Sequence, residues 1–189
     1  DRQLAHLTMA YCRNMAVDNI TITRDAVFLF DSMNNSIINS NISECFGMRL
    51  INSSGNDILG NLFNGNGYSG LFLYSSDGNR IEKNVASENE QNGLSLLSCN
   101  QNIIRDNSVQ KNLVTGIWLN LSNDNQIYEN NITANSLGSQ LSFSTGNTIY
   151  HNNFIDNIEH SIDTEGSNSW DAGNSTGGNY WSDHSAKGN

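Results

Sequence analysis

The sequence predicts an all-β chain wound as a parallel β-helix, and three observations carry that reading. First, one pattern is written twice at a spacing of 23 residues: N-x-I-x-x-N, then Asn, a loop, and G-h-x-L ending on a small residue, where h is apolar. The copies are Asn79, Ile81, Asn84, Asn89, Gly93, Leu94, Leu96, Cys99 and Asn102, Ile104, Asn107, Asn112, Gly116, Ile117, Leu119, Ser122. A fixed period of this size marks a solenoid. Second, Asn recurs in register along most of the chain. One column is Asn35, Asn56, Asn79, Asn102, Asn125, Asn147; another is Asn61, Asn84, Asn107, Asn130, Asn152; a third is Asn66, Asn89, Asn112, Asn135, Asn157. Third, Pro is absent, and unbroken strand ladders leave little room for it.

Each unit holds three short runs of alternating apolar residues, which favour strands and are too short for helices. Asn, Gly and Ser separate the runs and are expected to take the left-handed conformations that turns need. Three strands and three turns make one coil, and coils stacked ~4.8 Å apart turn sequence columns into ladders in space. The expected inward ladders are Leu7, Val27, Met48, Leu71, Leu94, Ile117, Ser139; Met9, Leu29, Leu50, Leu73, Leu96, Leu119, Leu141; Ile37 to Ile149; and Phe63, Ala86, Val109, Ile132, Phe154. A small column, Ser32, Ser53, Ser76, Cys99, Ser122, Ser144, fits a tight corner. Stacked Asn side chains are expected to pass hydrogen bonds from coil to coil.

In chain order, residues 1–34 read as looser entry coils, with a weak copy of the repeat beginning at Asn14. Residues 35–157 are regular. The pattern decays from Glu159, with Ile162 as a last inward residue. The expectation is one elongated β-helix over 1–165, about seven to eight coils of 21–23 residues, followed by a Gly/Ser/Asn-rich tail or cap over 166–189. An open solenoid end exposes core and strand edge, and Trp170, Tyr180 and Trp181 are the candidates to close it.

A net charge of −10 with nine Lys plus Arg argues against nucleic acid and anionic membrane, which need a basic footprint. No apolar run approaches the ~18 residues of a membrane span. The chain opens abruptly just before a strand, as it would after removal of a leader. Cys12 and Cys99 share one column four coils apart, roughly 19 Å and beyond disulfide reach; Cys45 replaces Asn in another. Acceptor triplets for N-glycosylation occur at Asn19, Asn34, Asn41, Asn52, Asn120, Asn131 and Asn174, although a chain this rich in Asn and Ser generates them by accident.

Function must come from outward positions. Beside the G-h-x-L strand these are Thr8, Phe28, Arg49, Phe72, Ser95, Trp118, Gln140, Asp163 and Ala10, Phe30, Ile51, Tyr74, Leu97, Asn120, Ser142, Glu165. No carboxylate appears before the final coil. Glycoside hydrolysis needs two carboxylates flanking the bond, and a lyase needs a base beside a charge neutraliser; this face offers neither. It offers aromatic surface, and Phe28, Phe72, Tyr74 and Trp118 are the candidate contact residues for glycan or a partner protein. Three uses stay open: sugar stacking, packing against a neighbouring domain or subunit, and coverage by long turns or the tail. On the strand of the Ile column, Glu82 should face Arg105 and Lys83 should face Asp106; on the third strand Glu88 should face Lys111. Such cross-strand pairs set register. His6, His151, His160 and His184 fall in different coils or the tail without metal-site spacing. Asp156, Asp163 and Asp171 could hold calcium near the C-terminal end, against the plainer reading of solvated acids.

These repeats resemble the right-handed parallel β-helix repeat of carbohydrate-binding and sugar-hydrolysis proteins, and most closely the NosD-like group of periplasmic copper-binding proteins. The ending Asn147-Thr-Ile-Tyr-His-Asn-Asn-Phe, Asn168-Ser-Trp-Asp and Gly178-Asn-Tyr-Trp-Ser-Asp183 is similar to the terminal unit of secreted surface proteins of methanogenic archaea. The resemblance implies a right-handed fold and an extracellular or cell-surface location. It leaves function open, because this fold hosts lyases, hydrolases, epimerases, adhesins and spacers. No residue set matches a copper site. The expected function is a non-catalytic structural or glycan-recognition module, with cell-surface glycan or a neighbouring surface protein as partner and self-association through flat faces. The alternatives are a polysaccharide-degrading enzyme, a lyase or glycoside hydrolase using Asp156, Asp163 and Glu165, and a copper-binding accessory protein.

Overall fold

The computed structural model describes residues 2–173 and 177–183, so the acceptor triplet at Asn174 and the histidine His184 lie outside the described residues. Each coil passes through three strands in turn, as in Leu71–Tyr74, Arg80–Glu82 and Val85–Ser87, before Leu94–Leu97 opens the next. Among the described residues the strands stack into three sheets. The first has eight strands from Leu7–Ala10 to Glu159–Asp163, the second seven from Ala16–Asp18 to Thr148–Tyr150, and the third nine from Arg2–Leu4 to Tyr180–Trp181. Neighbours within a sheet are parallel and one coil apart: Leu71 pairs with Leu94 and Leu94 with Ile117, while Ile81 pairs with Ile104 and Ile104 with Ile127. The chain is a parallel β-helix, and its core is the column of aliphatic and aromatic side chains that the three sheets enclose.

The inward ladders are those that the period predicts. From Val27 on, their apolar members are buried, as is Ser139. The Asn columns also stack. Asn84 donates its backbone N–H (2.9 Å) and its Nδ2–H (3.0 Å) to Asn107 Oδ1, and Asn107 Nδ2 donates to the Ile81 carbonyl at 2.9 Å. Each corner amide is thereby satisfied without water. The small column works alike, with Ser53 N–H on Ser76 Oγ at 2.9 Å and Cys99 N–H on Ser122 Oγ at 3.0 Å. Cys45 occupies an Asn slot, its N–H on Asn66 Oδ1 at 3.1 Å. The three cysteines are unbridged.

Two local expectations need correction. The left-handed conformation does not fall on the ladder Asn. It falls on the residue immediately before, whatever its type: Lys83 (φ 57°) before Asn84, Asp106 (φ 55°) before Asn107, Leu121 (φ 51°) before Ser122 and Phe143 (φ 49°) before Ser144. A non-glycine residue there costs about 1 kcal/mol, and the two or three hydrogen bonds of the next ladder residue offset it. The first-coil repeat is also displaced by one. Met15, not Asn14, donates its N–H to Asn35 Oδ1 (3.0 Å), and Asn14 takes the left-handed corner. The glycine of G-h-x-L has a different cause, close approach: a Cβ on Gly93 would lie 2.5 Å from Val109 Cγ1 and 2.8 Å from the Gly116 carbonyl.

The last turn departs from the extrapolated columns. The final step of the first sheet is 22 residues, pairing Gln140 with Ile162 and Leu141 with Asp163. Ile162 is therefore outward and Asp163 inward, the reverse of the expectation, because a one-residue slip exchanges the faces of a strand. Asp163 Oδ1 accepts from Asn168 Nδ2 (2.9 Å) and from the N–H groups of Gly166 (3.2 Å) and Glu165 (3.3 Å), and Oδ2 from Trp170 Nε1 (3.3 Å). Asn168 and Asn179 each add a rung to an Asn column, accepting from Asn147 and Asn152. Trp181 pairs with Phe154 and stacks on it, 4.5 Å between centroids at 11°. Trp170 packs against the same core. Trp170 and Trp181 close this end; Tyr180, adjacent to Trp181 and so on the opposite face, is 57% exposed.

Candidate functional site

The outward face of the first sheet carries two parallel columns. One is Thr8, Phe28, Arg49, Phe72, Ser95, Trp118, Gln140, Ile162; the other is Ala10, Phe30, Ile51, Tyr74, Leu97, Asn120, Ser142. All four candidate contact residues lie here. Phe28 and Phe72 flank Arg49 one coil to either side, Tyr74 stands beside Phe72 on the same strand, and Trp118 is two coils beyond Phe72. Phe28 stacks on Phe30 at 5.5 Å. With Asp163 turned inward, these columns hold no carboxylate.

The corner loops add what the columns did not contain. Tyr68, from the loop before Leu71–Tyr74, reaches over Arg49, whose Cζ lies 5.2 Å from its ring centroid and 5.7 Å from that of Phe72. Phe46 packs on Tyr68 at 5.6 Å. Arg49, Tyr68, Ser69, Phe72 and Gln91 line an open cleft of about 160 Å³. Sequence reasoning named Arg49 only as a column member and missed Tyr68 and Phe46, which lie in loops without a repeating apolar position. The loops also divide the face. Ser69 Oγ (2.9 Å) and Asn92 Nδ2 (3.0 Å) close over Ser95, which is buried between Phe72 and Trp118. The described tail does not cover this face: its strand Tyr180–Trp181 joins the third sheet. Asn120 Oδ1, in the column beside Trp118, is a buried acceptor without a hydrogen-bond partner among the described residues.

The second sheet is charged. Glu82, with 7% of its side chain exposed, contacts Arg105 (2.9 Å), Lys83 (3.0 Å) and Arg80 (3.6 Å), and Arg80 also pairs with Asp57 at 2.9 Å. Burial alone would raise the Glu82 carboxyl; hydrogen bonds from Lys83 and Arg105 and their charges outweigh it and hold the group below the usual carboxylate range. Lys83 turns to Glu82 (3.0 Å), not to Asp106 as expected, and Asp106 instead lies 3.9 Å from Arg105: both partners find an opposite charge within their own coil. Glu88 and Lys111 do meet, at 3.8 Å with both side chains more than half exposed. Tyr128 stacks on Tyr150 at 5.0 Å.

The carboxylates considered for catalysis or calcium do not converge. Asp163 is committed to the closing turn, Asp171 accepts the Gly173 N–H at 2.9 Å, and Asp156 and Glu165 are exposed at separate corners. Among the described residues no three His, Cys, Asp or Glu side chains group as metal ligands. Burial pushes the Cys99 thiol up to about 11 and raises Cys45 as well, which disfavours the thiolate a metal would need.

Solved structures with this fold include the periplasmic alginate epimerase AlgG (18% identity, TM-score 0.80, 87% of this chain and 46% of that chain). The A-module of the Azotobacter vinelandii mannuronan C-5 epimerase AlgE4 also matches (15% identity, TM-score 0.60, 83% of this chain and 57% of that chain). The chain thus spans about half the length of either epimerase, and at these identities the likeness carries the fold alone. No curated protein matches the sequence. The family model described as "Periplasmic copper-binding protein (NosD)" matches residues 5–186, and the chain belongs to that family.

Proposed function

We propose that this NosD-type β-helix is a non-catalytic module of the cell envelope or surface that recognises glycan through Phe28, Phe72, Tyr74 and Trp118. The observation that carries the reading is the contrast between faces: the first sheet presents rings around a cleft, while the second closes its charges on one another. Exposed rings stack on the apolar faces of sugars, and side chains at the cleft edge supply hydrogen bonds. The family's description as periplasmic supports a location outside the cytoplasm. Packing against a neighbouring surface protein or a second copy would use the same rings. Copper, which the family's description implies, does not fit the described residues: the histidines are dispersed, two of the three thiols are held in the protonated form, and no ligand cluster forms.

The test is a panel of acidic and neutral polysaccharides, reading binding and chain cleavage together. Binding without cleavage is expected, and Phe72→Ala with Trp118→Ala should abolish it while the fold stays intact, since neither side chain is in the core. Unchanged binding in that variant removes these residues from the site. Cleavage would replace the proposal with an enzyme resembling in chemistry the epimerases and lyases of this fold.

A further inference from the structure

We propose that the cleft around Arg49 selects carboxylated sugars, so that the glycan taken by this face is an acidic polysaccharide of the uronate class. The inference rests on the glycan reading above and adds the chemistry of the ligand.

Arg49 is the single charged side chain in the two outward columns of the first sheet. Its neighbours there are Phe28, Phe30, Ile51, Phe72 and Tyr74. On the second sheet Arg80 and Arg105 are each paired with carboxylates; among the described residues no carboxylate pairs with Arg49. Its guanidinium is held over the rings of Tyr68 and Phe72 instead. Such a contact fixes the plane of the group through its face and leaves its N–H edge available for a planar, two-oxygen acceptor.

The surroundings favour a carboxylate over a neutral sugar. A glycan lying across Phe72 and Tyr68 covers Arg49 and takes it out of water, and a covered charge is costly unless a partner satisfies it. A uronate carboxylate supplies that partner, with Ser69 and Gln91 at the cleft edge for hydroxyl groups. The chain's net charge of −10 gives no long-range attraction for polyanions. The selectivity must therefore arise at contact, from this one guanidinium.

The experiment is calorimetric titration of the whole chain with three hexamers: galacturonate, its carboxyl-reduced galactose counterpart, and the galactose hexamer carrying sulfate. The expected result is a preference of roughly tenfold or more for the uronate over the reduced hexamer, the size of one charge-assisted contact. Arg49→Gln should remove that preference, and Arg49→Lys should restore only part of it, because an ammonium lacks the bidentate edge. Melting curves of both variants separate this from loss of fold. Equal affinity for uronate and reduced hexamer overturns the inference and leaves the glycan reading standing. A preference that survives Arg49→Gln, or tighter binding of the sulfated hexamer, also overturns it. Binding of none of the three removes the glycan reading and this inference with it.

Discussion

The middle coils and the last turn face the same geometric problem and solve it with different residues. Between Asn56 and Asn157 each inward ladder slot except Ser139 is aliphatic or a single ring, and each ladder corner is an Asn, Ser or Cys bonded to its neighbours above and below. The last turn fills equivalent slots with Asp163, Trp170 and Trp181. A middle slot has protein on both sides and needs only the right volume. A terminal slot has protein on one side, so it needs area to cover the core and polar groups to satisfy the turn. Two indoles supply the area, and one carboxylate accepting four hydrogen bonds ties the turn to them.

The comparison predicts that one substitution costs more in the middle than at the end. Asn107→Ala removes the acceptor of the Asn84 N–H, one of the two acceptors of the Asn84 amide, whose other is the Ile58 carbonyl, and a donor to the Ile81 carbonyl, all in a dry interior. It should cost about 3–4 kcal/mol in urea unfolding, from one buried N–H left without an acceptor and two further buried hydrogen bonds lost. Asn179→Ala breaks the corresponding contacts to Asn152 and Ile149, but Asn179 is half-buried and water can replace it; about 1–2 kcal/mol is expected. Equal losses would mean that the ladder is uniform and that the last turn is one more coil.

At the closing turn, Trp181→Ala uncovers Phe154, against which the indole stacks at 4.5 Å. A loss of about 2–3 kcal/mol is expected, below a fully buried Trp because this one is partly exposed. Tyr180→Ala, one residue away and facing solvent, should stay within about 0.5 kcal/mol. A larger loss at Tyr180 than at Trp181 would reverse the assignment of the closing residues.

The same division explains what the sequence could reveal. A column is legible when a residue repeats because its neighbour above is the same, and that covers the Ile81 to Ile149 ladder and the Asn corners; the four rings of the first sheet follow only from their alternation with the inward positions of the same strands. The left-handed corner is not legible by type, since Lys83, Leu121 and Phe143 adopt it for the sake of the residue that follows. Asp163 was misplaced because the last coil is one residue shorter than the spacing carried forward from the regular coils. Tyr68 and the Ser69–Asn92 closure over Ser95 lie in loops that repeat in length but not in contact, so the cleft is visible only in three dimensions.

A third test moves from the ladders to the charged face of the middle coils. The Glu82 carboxyl is held below its usual range. Its contribution is therefore present above its unfolded value, about 4.3, and is lost as pH falls through the lower folded value. Glu82→Gln should cost about 1–2 kcal/mol at pH 7, and the gap between variant and parent should narrow as pH falls below about 4.3. A gap that is constant from pH 7 to pH 3 would assign the effect to packing and not to charge.

The smallest effect should come from Glu88 and Lys111, which meet at 3.8 Å with side chains 58% and 63% exposed. Water and salt screen such a pair, and ordering two long side chains opposes it, so a double-mutant cycle with Ala at both positions should return less than about 0.5 kcal/mol. The pair joins the same two coils as Asn84 and Asn107, one on the surface and one in the corner, so their coupling energies compare exposed charge with buried amide at one step of the solenoid. A cycle above 1 kcal/mol for Glu88 and Lys111 would move part of the register-setting from the Asn ladder to the surface charges. A value near zero leaves the register to buried amides, which no change of salt can reach.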